Sequence, residues 1–238
     1  MLNQFSSMRI KILFAALFLV SFTSAVNNHY PAIFGKDYEW ANQWLAANSS
    51  LFDKTAASQG IPSKALKAIV FPELIRYNSV YNALEITSLK FLYISRGKEY
   101  ADFSVGYFQM KPSFAEQIEA DALIYISKED LLLLGLSNND LKDDENRRSE
   151  RIKRITSKAG QLNYLAAFYK ICKAKFGGLS FRSAEESVRF FATCYNAGYH
   201  FTEEQVKKNS TKSFYHVGKI LKSEAYCYAD ISAYWYRQ

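Results

Sequence analysis

The chain is short of the residues that punctuate and staple a fold. Of its 238 residues ten are Gly and four are Pro, and no repeat or low-complexity linker marks an internal domain boundary. Cysteine is equally sparse: Cys172, Cys194 and Cys227 make an odd number, so at most one disulfide can form and a stapled framework is excluded. Their wide spacing, with only His29, His200 and His216 as further soft ligands, fits no common zinc pattern and predicts no structural metal. Cys194 lies in an apolar helical stretch and reads as a small packed hydrophobe. A run of apolar residues long enough to span a bilayer is also lacking, as is a strongly amphipathic cationic helix that would act on membranes.

What is present begins with an export signal. Arg9 and Lys11 precede a short apolar run at 12–20, and Thr23, Ser24 and Ala25 supply small residues for cleavage, so residues 1–25 read as a signal peptide. No cysteine follows the cut at once, which disfavours a lipoprotein and predicts a periplasmic or secreted protein without stable membrane insertion. The formal charge of the whole chain is +7, and loss of Arg9 and Lys11 leaves it basic. Outside the cytoplasm such a surface favours anionic wall polymers or lipid head groups and not nucleic acid. The mixed-sign run at 142–154 reads as a solvated helix face.

Helical periodicity dominates the rest. Tyr38, Ala41, Trp44 and Leu45 mark a first helix within an N-terminal extension at 26–60. A second starts at Pro62-Ser63 and sets Leu66, Ile69, Val70, Glu73 and Tyr77 on one face. A third apolar stretch at 84–94 ends before Arg96-Gly97. Residues 99–111 break the rhythm and read as an ordered loop, with room for a short hairpin. Capping-box spacings open helices at Ser113/Glu116, Ser183/Glu186 and Thr202/Gln205. One long helix is expected over 147–175 and another over 183–197, stopped by Gly198; short helices in an insertion are expected around 127–146. The fold class is therefore mainly α, with a small irregular or β-hairpin element.

Glu73 stands out because a carboxyl on an apolar stripe is desolvated, and desolvation favours its neutral form. A carboxyl that keeps its proton near neutral pH is what a glycosidase needs to protonate a leaving oxygen. The plain alternative is a glutamate that reaches solvent past a small apolar patch. Pro72, just before it, removes the hydrogen bond to the carbonyl of Ala68 and predicts a kink that tilts Glu73 into a cleft.

Two further segments follow: Ser104-Val105-Gly106-Tyr107-Phe108-Gln109-Met110-Lys111-Pro112 and Cys194-Tyr195-Asn196-Ala197-Gly198. A helix bearing Glu73, then Gly-x-x-Gln-x-x-Pro, then Tyr-Asn-Ala-Gly, in that order, resembles the lysozyme-like lytic transglycosylase family over residues 62–198. Proline before Glu73, leucine after it and Cys194 in place of alanine depart from the family pattern. The resemblance implies a lysozyme-like catalytic domain at 61–238, with the small hairpin element beside the cleft and an extra helix at 81–100. It further implies cleavage of peptidoglycan glycan strands at the MurNAc-GlcNAc bond, with 1,6-anhydro-MurNAc ends and no cofactor. By the same resemblance Glu73 is general acid and then base, Gln109 and Asn196 hydrogen-bond the sugar, Tyr195 orients Glu73 and substrate, and Ser104 lines the cleft. Gly106 and Gly198 are the motif glycines. Read without the resemblance, Gln109 is a loop-capping amide, Tyr195 a core aromatic, and the two glycines ordinary turn residues. Asp102 and Glu116 are the candidates by position for a second carboxylate, although Glu116 reads better as a cap and Asp102 as a loop acid. A hydrolytic muramidase and a non-catalytic peptidoglycan-binding protein remain the alternatives.

Overall fold

The computed structural model describes residues 29–137, 144–217 and 224–238; the signal at 1–25 lies outside them, as do residues 138–143 of the expected insertion. The chain opens with α1 (Tyr30–Phe34), α2 (Lys36–Ala47) and α3 (Ser49–Gln59), then α4 (Ser63–Arg76). Next come α5 (Ser79–Ser88), a π-helical turn at Leu89–Tyr93 and α6 (Ile94–Arg96). After a loop follow α7 (Pro112–Tyr125), α8 (Lys128–Leu133), α9 (Glu145–Thr156), α10 (Lys158–Lys175), α11 (Ala184–Ala197) and α12 (Glu203–Asn209). Strands β1 (Ser213–His216) and β2 (Ala225–Cys227) pair antiparallel and lead into α13 (Tyr228–Arg237). The described structure is thus mainly helical with one two-stranded sheet. None of its helices is long and apolar enough to cross a membrane.

Helix α4 is the centre. The sequence suggests a single apolar stripe, yet every residue from Ala68 to Ile75 is buried, because α13, α11, α2 and α3 all pack on it. A helix that is apolar nearly all round belongs inside a core. Each fully enclosed Leu66, Ile69 or Leu74 contributes about 1.5–3 kcal/mol of burial. Residues 30–59 are therefore joined to this core: Tyr38 of α2 packs edge-on against Phe71, and Phe52 of α3 against Phe108.

Three expectations change. The helix predicted over 147–175 is two, because Ser157 adopts an extended backbone and its hydroxyl accepts from the N–H of Gly160 at 3.1 Å, capping a new start. Close packing at the break has room only for glycine, since a Cβ on Gly160 would lie 2.3 Å from the Arg154 carbonyl oxygen. The capping box at Ser113 does not form. Pro112 occupies the first helical position, and Asp102 caps from the loop instead, accepting from the Ser113 N–H at 2.9 Å and its hydroxyl at 2.7 Å. Glu116 points elsewhere, to Tyr93 at 2.8 Å and Lys98 at 2.9 Å. At Ser183 the hydroxyl accepts from the Glu186 N–H, but the returning bond from the Glu186 carboxylate falls on the N–H of Arg182. Only the Thr202/Gln205 box closes reciprocally.

Helix α5 buries no residue of its own. Asn78 caps it by accepting from the N–H groups of Val80 and Tyr81. Asn82 ties it to the following loop, accepting from the Gly106 N–H at 2.6 Å. The loop carries an antiparallel bridge between Val105 and Met110, the short hairpin expected there. Cys172, Cys194 and Cys227 are all buried, free thiols.

Candidate active site

The three sequence-distant segments meet at one cleft of about 520 Å³. Glu73, Ser104, Gln109, Tyr195, Asn196 and Gly198 all line it. Gly106 stands behind, shaping the loop that presents Gln109. Its φ of +75° suits glycine, and a Cβ there would stand 1.5 Å from Nε2 of Gln161. Gln161 is fully buried and holds the loop from inside: its amide donates to the carbonyls of Val105 at 3.0 Å and Ile155 at 2.6 Å and accepts from the Phe108 N–H at 3.3 Å. Gln109 also has a positive φ, 49°, unusual for a residue with a Cβ. Its amide donates to the Gly106 carbonyl at 2.8 Å, closing the turn on itself. Replacing Gly106 with Ala is expected to cost about 2–4 kcal/mol, combining the left-handed backbone with lost Gln161 hydrogen bonds. Urea denaturation measures it, and an unchanged midpoint refutes the close approach.

Glu73 is 2% exposed, at the end of the core helix. Burial pushes its carboxyl up from the ordinary value, and the neighbouring Arg76 opposes that push without cancelling it. Oε2 of Glu73 lies 2.6 Å from Nε of Arg76, in an ion pair whose alignment is poor for a hydrogen bond. The Tyr228 hydroxyl, which donates to the Ile69 carbonyl at 2.8 Å, is also within hydrogen-bonding reach of the carboxyl. Helix α4 runs through Pro72 without a break, and the Pro72 carbonyl accepts from the hydroxyl of the buried Tyr215. The Arg76 guanidinium lies over the Tyr215 ring, 5.2 Å from its centroid.

Tyr195 lines the same cleft as Glu73 and lies near it, with its hydroxyl engaged by the loop. Its hydroxyl donates to the Phe108 carbonyl at 2.7 Å, and its ring meets Phe114 and Phe168 edge-on, so it fastens α11 to the Gly106–Gln109 turn. Arg76 is paired with the carboxyl and Tyr228 stands near it. Arg76 had a local signal, a cation three residues after a carboxylate. Tyr228 and Gln161 had none, because their contacts span 159 and 56 residues. Gly198 ends α11 with φ of +114°, and a Cβ there would come 2.5 Å from the His200 ring.

Among the described residues no second Asp or Glu lines the cleft. Asp102 is occupied in capping α7, and Glu116 belongs to an ion network with Arg151 and Lys98. No group of three or more His, Cys, Asp or Glu side chains gathers among the described residues as a metal site. Chemically, then, the cleft offers one shielded carboxyl, a guanidinium beside it, and amide and hydroxyl groups from Gln109, Asn196 and Ser104. Such an arrangement can move a single proton and hydrogen-bond a neutral polar ligand. Comparison with protein-family models, with curated proteins and with solved structures returned no match.

Proposed function

We propose that the protein is an exported enzyme of lysozyme-like fold that cleaves the glycan strands of peptidoglycan as a lytic transglycosylase. The observation that carries this reading is the convergence of Glu73, Gln109 and Asn196, from three separate parts of the chain, on one cleft with a single buried carboxyl. A lone acid fits this chemistry, because the two-carboxylate routes of sugar hydrolysis need a partner about 5–10 Å away.

The proton-transfer sequence uses Glu73 twice. Its carboxylic acid protonates the glycosidic oxygen leaving from MurNAc C1, and the C1–O bond breaks. The substrate's own N-acetyl group supports the positive charge left on the sugar. The Glu73 carboxylate then takes the proton of the MurNAc 6-hydroxyl as that oxygen bonds to C1, which closes the 1,6-anhydro ring and regenerates the acid. Arg76 serves the second half, since its guanidinium steadies the carboxylate that forms after the first transfer. Gln109 and Asn196 present amides to the N-acetyl and hydroxyl groups of the strand, with Ser104 beside them.

The test is the mass of the products from purified, reduced glycan. Anhydro ends are expected. Fragments carrying an added water instead assign the cleft to a hydrolytic muramidase. Binding without cleavage assigns it to a wall-binding protein, a reading that draws on the Glu73–Arg76 ion pair, because that pair works against the protonated form a proton donor needs.

A further inference from the structure

A second depression, of about 420 Å³, adjoins the cleft and shares Arg76, Ser104 and Gln109 with it as a common wall. Its far side is built from segments outside the motif-bearing span: Asp37 from α2 and His216 from β1, with Tyr77, Asn78 and Tyr81 at the α4–α5 junction. The volume falls in the range of about 300–1,000 Å³ usual for small-molecule sites.

Two tyrosines give this depression its character. Tyr77 is held by its neighbours: its ring stacks on Trp40 at 5.5 Å and an interplanar angle of 8°, and packs on Tyr107 at 4.6 Å. Trp40, backing the stack, is 38% exposed, and Tyr81, at the rim, is 42% exposed. Lys158 in turn lies over Tyr107 and Trp44, bracing the stack from behind. Core packing does not account for half-exposed rings arranged beside a carboxylate and an amide. The negative face of an aromatic ring suits the C–H face of a pyranose, and Asp37 and Asn78 stand where ring hydroxyls would need acceptors and donors.

We propose that this depression binds further N-acetylhexosamine units of the strand whose scissile bond lies at Glu73, with Tyr77 and Tyr81 as stacking surfaces. The inference rests on the glycan-cleaving reading of the cleft and extends it to substrate length. The shared wall makes the two depressions one continuous path for a linear polymer, and the N-terminal helices thereby become part of substrate selection.

The experiment uses the full chain carrying Glu73→Gln and measures, by calorimetry, binding of peptide-free N-acetylglucosamine oligomers from dimer to hexamer. The long oligomers are expected to bind at least about tenfold more tightly than the dimer, and Tyr81→Ala is expected to remove most of that gain while weakening the dimer less than about threefold. Asp37→Asn, at an exposed position, is the companion variant if Tyr81→Ala unfolds, with the same expectation. A length gain that both variants leave intact overturns the inference and leaves the cleft reading standing. So does a gain absent from these oligomers and present with peptide-bearing muropeptides titrated alongside them, which assigns the depression to the stem peptide. No binding at any length overturns the glycan reading itself.

Discussion

Under the proposed function, changing Glu73 to Gln is expected to lower glycan cleavage by about 10²–10⁴-fold, the usual worth of a positioned proton donor, and to leave the protein folded. The amide matches the carboxyl in shape and cannot deliver the proton. The fold survives because the substitution removes a charge that burial already disfavours. Arg76, left without its counter-ion, keeps partial contact with solvent, at 31% side-chain exposure, and the face of Tyr215. The expected signature is a wild-type thermal melt with no release of muropeptides from purified walls. Turnover within tenfold of wild type would remove Glu73 from the mechanism.

The same residue sets the pH dependence. Burial raises the Glu73 carboxyl above its ordinary value near 4.5, so the protonated acid persists to higher pH than it would in water. Cleavage should fall as pH rises through that raised value. Stability follows the same sign: the group's contribution is complete at pH below its unfolded value and is lost as pH rises through the folded one.

Removing Glu119 is the change with the largest expected effect on the fold. Its carboxylate, 3% exposed, accepts from Arg151 at 2.7 and 3.2 Å, from Arg147 at 3.1 Å and from the Tyr164 hydroxyl at 2.5 Å. Burial alone would raise this carboxyl, but the Arg151 and Tyr164 hydrogen bonds and the charge of Arg147 prevail and hold it below its ordinary value near 4.5. Glu119→Leu takes from the buried Arg151 its closest carboxylate and should cost about 3–5 kcal/mol, a large part of a typical domain's stability of about 5–15 kcal/mol. Pairing it with Arg151→Met should restore most of the loss, because the uncompensated charge goes too. Chemical denaturation of the single and double variants decides it; a single variant within about 1 kcal/mol of wild type refutes the network's role. The pH sign is opposite to that of Glu73. The Glu119 contribution is complete above its ordinary value and disappears as pH falls through the lower folded one.

How much of this was legible depends on the distance over which each contact reaches. Helices α2 and α4 follow from apolar spacing that is local by nature, α11 from a serine start and a glycine stop, and the turn at Gly106 from a glycine in a non-helical stretch. Glu73 was found because its neighbours at helical steps are apolar, although the structure encloses it with α13 and α11 as well. Glu116 reads as a cap and is none, while Asp102, the loop acid, supplies the cap instead, since a cap delivered from eleven residues upstream leaves no spacing signature, whereas the empty capping box does. The break at Ser157 was missed for a related reason: Ser157 sits in register with the apolar rhythm on both sides, and only close packing at Gly160 shows that the chain turns. Gln161 gave no local signal, because the loop it anchors, at Val105 and Phe108, lies more than fifty residues away in the chain.

The two tyrosines that grip α4 tie the core helix to segments far along the chain. Pro72 and Ile69 have their carbonyls engaged by Tyr215 and Tyr228, residues that a ribosome adds some 150 positions after the helix they clasp. Without β1 and α13, Glu73 would lack the Tyr228 neighbour and much of the packing that encloses it. The residues of the three motif segments therefore owe the surroundings they share to elements that lie outside the span that carries them.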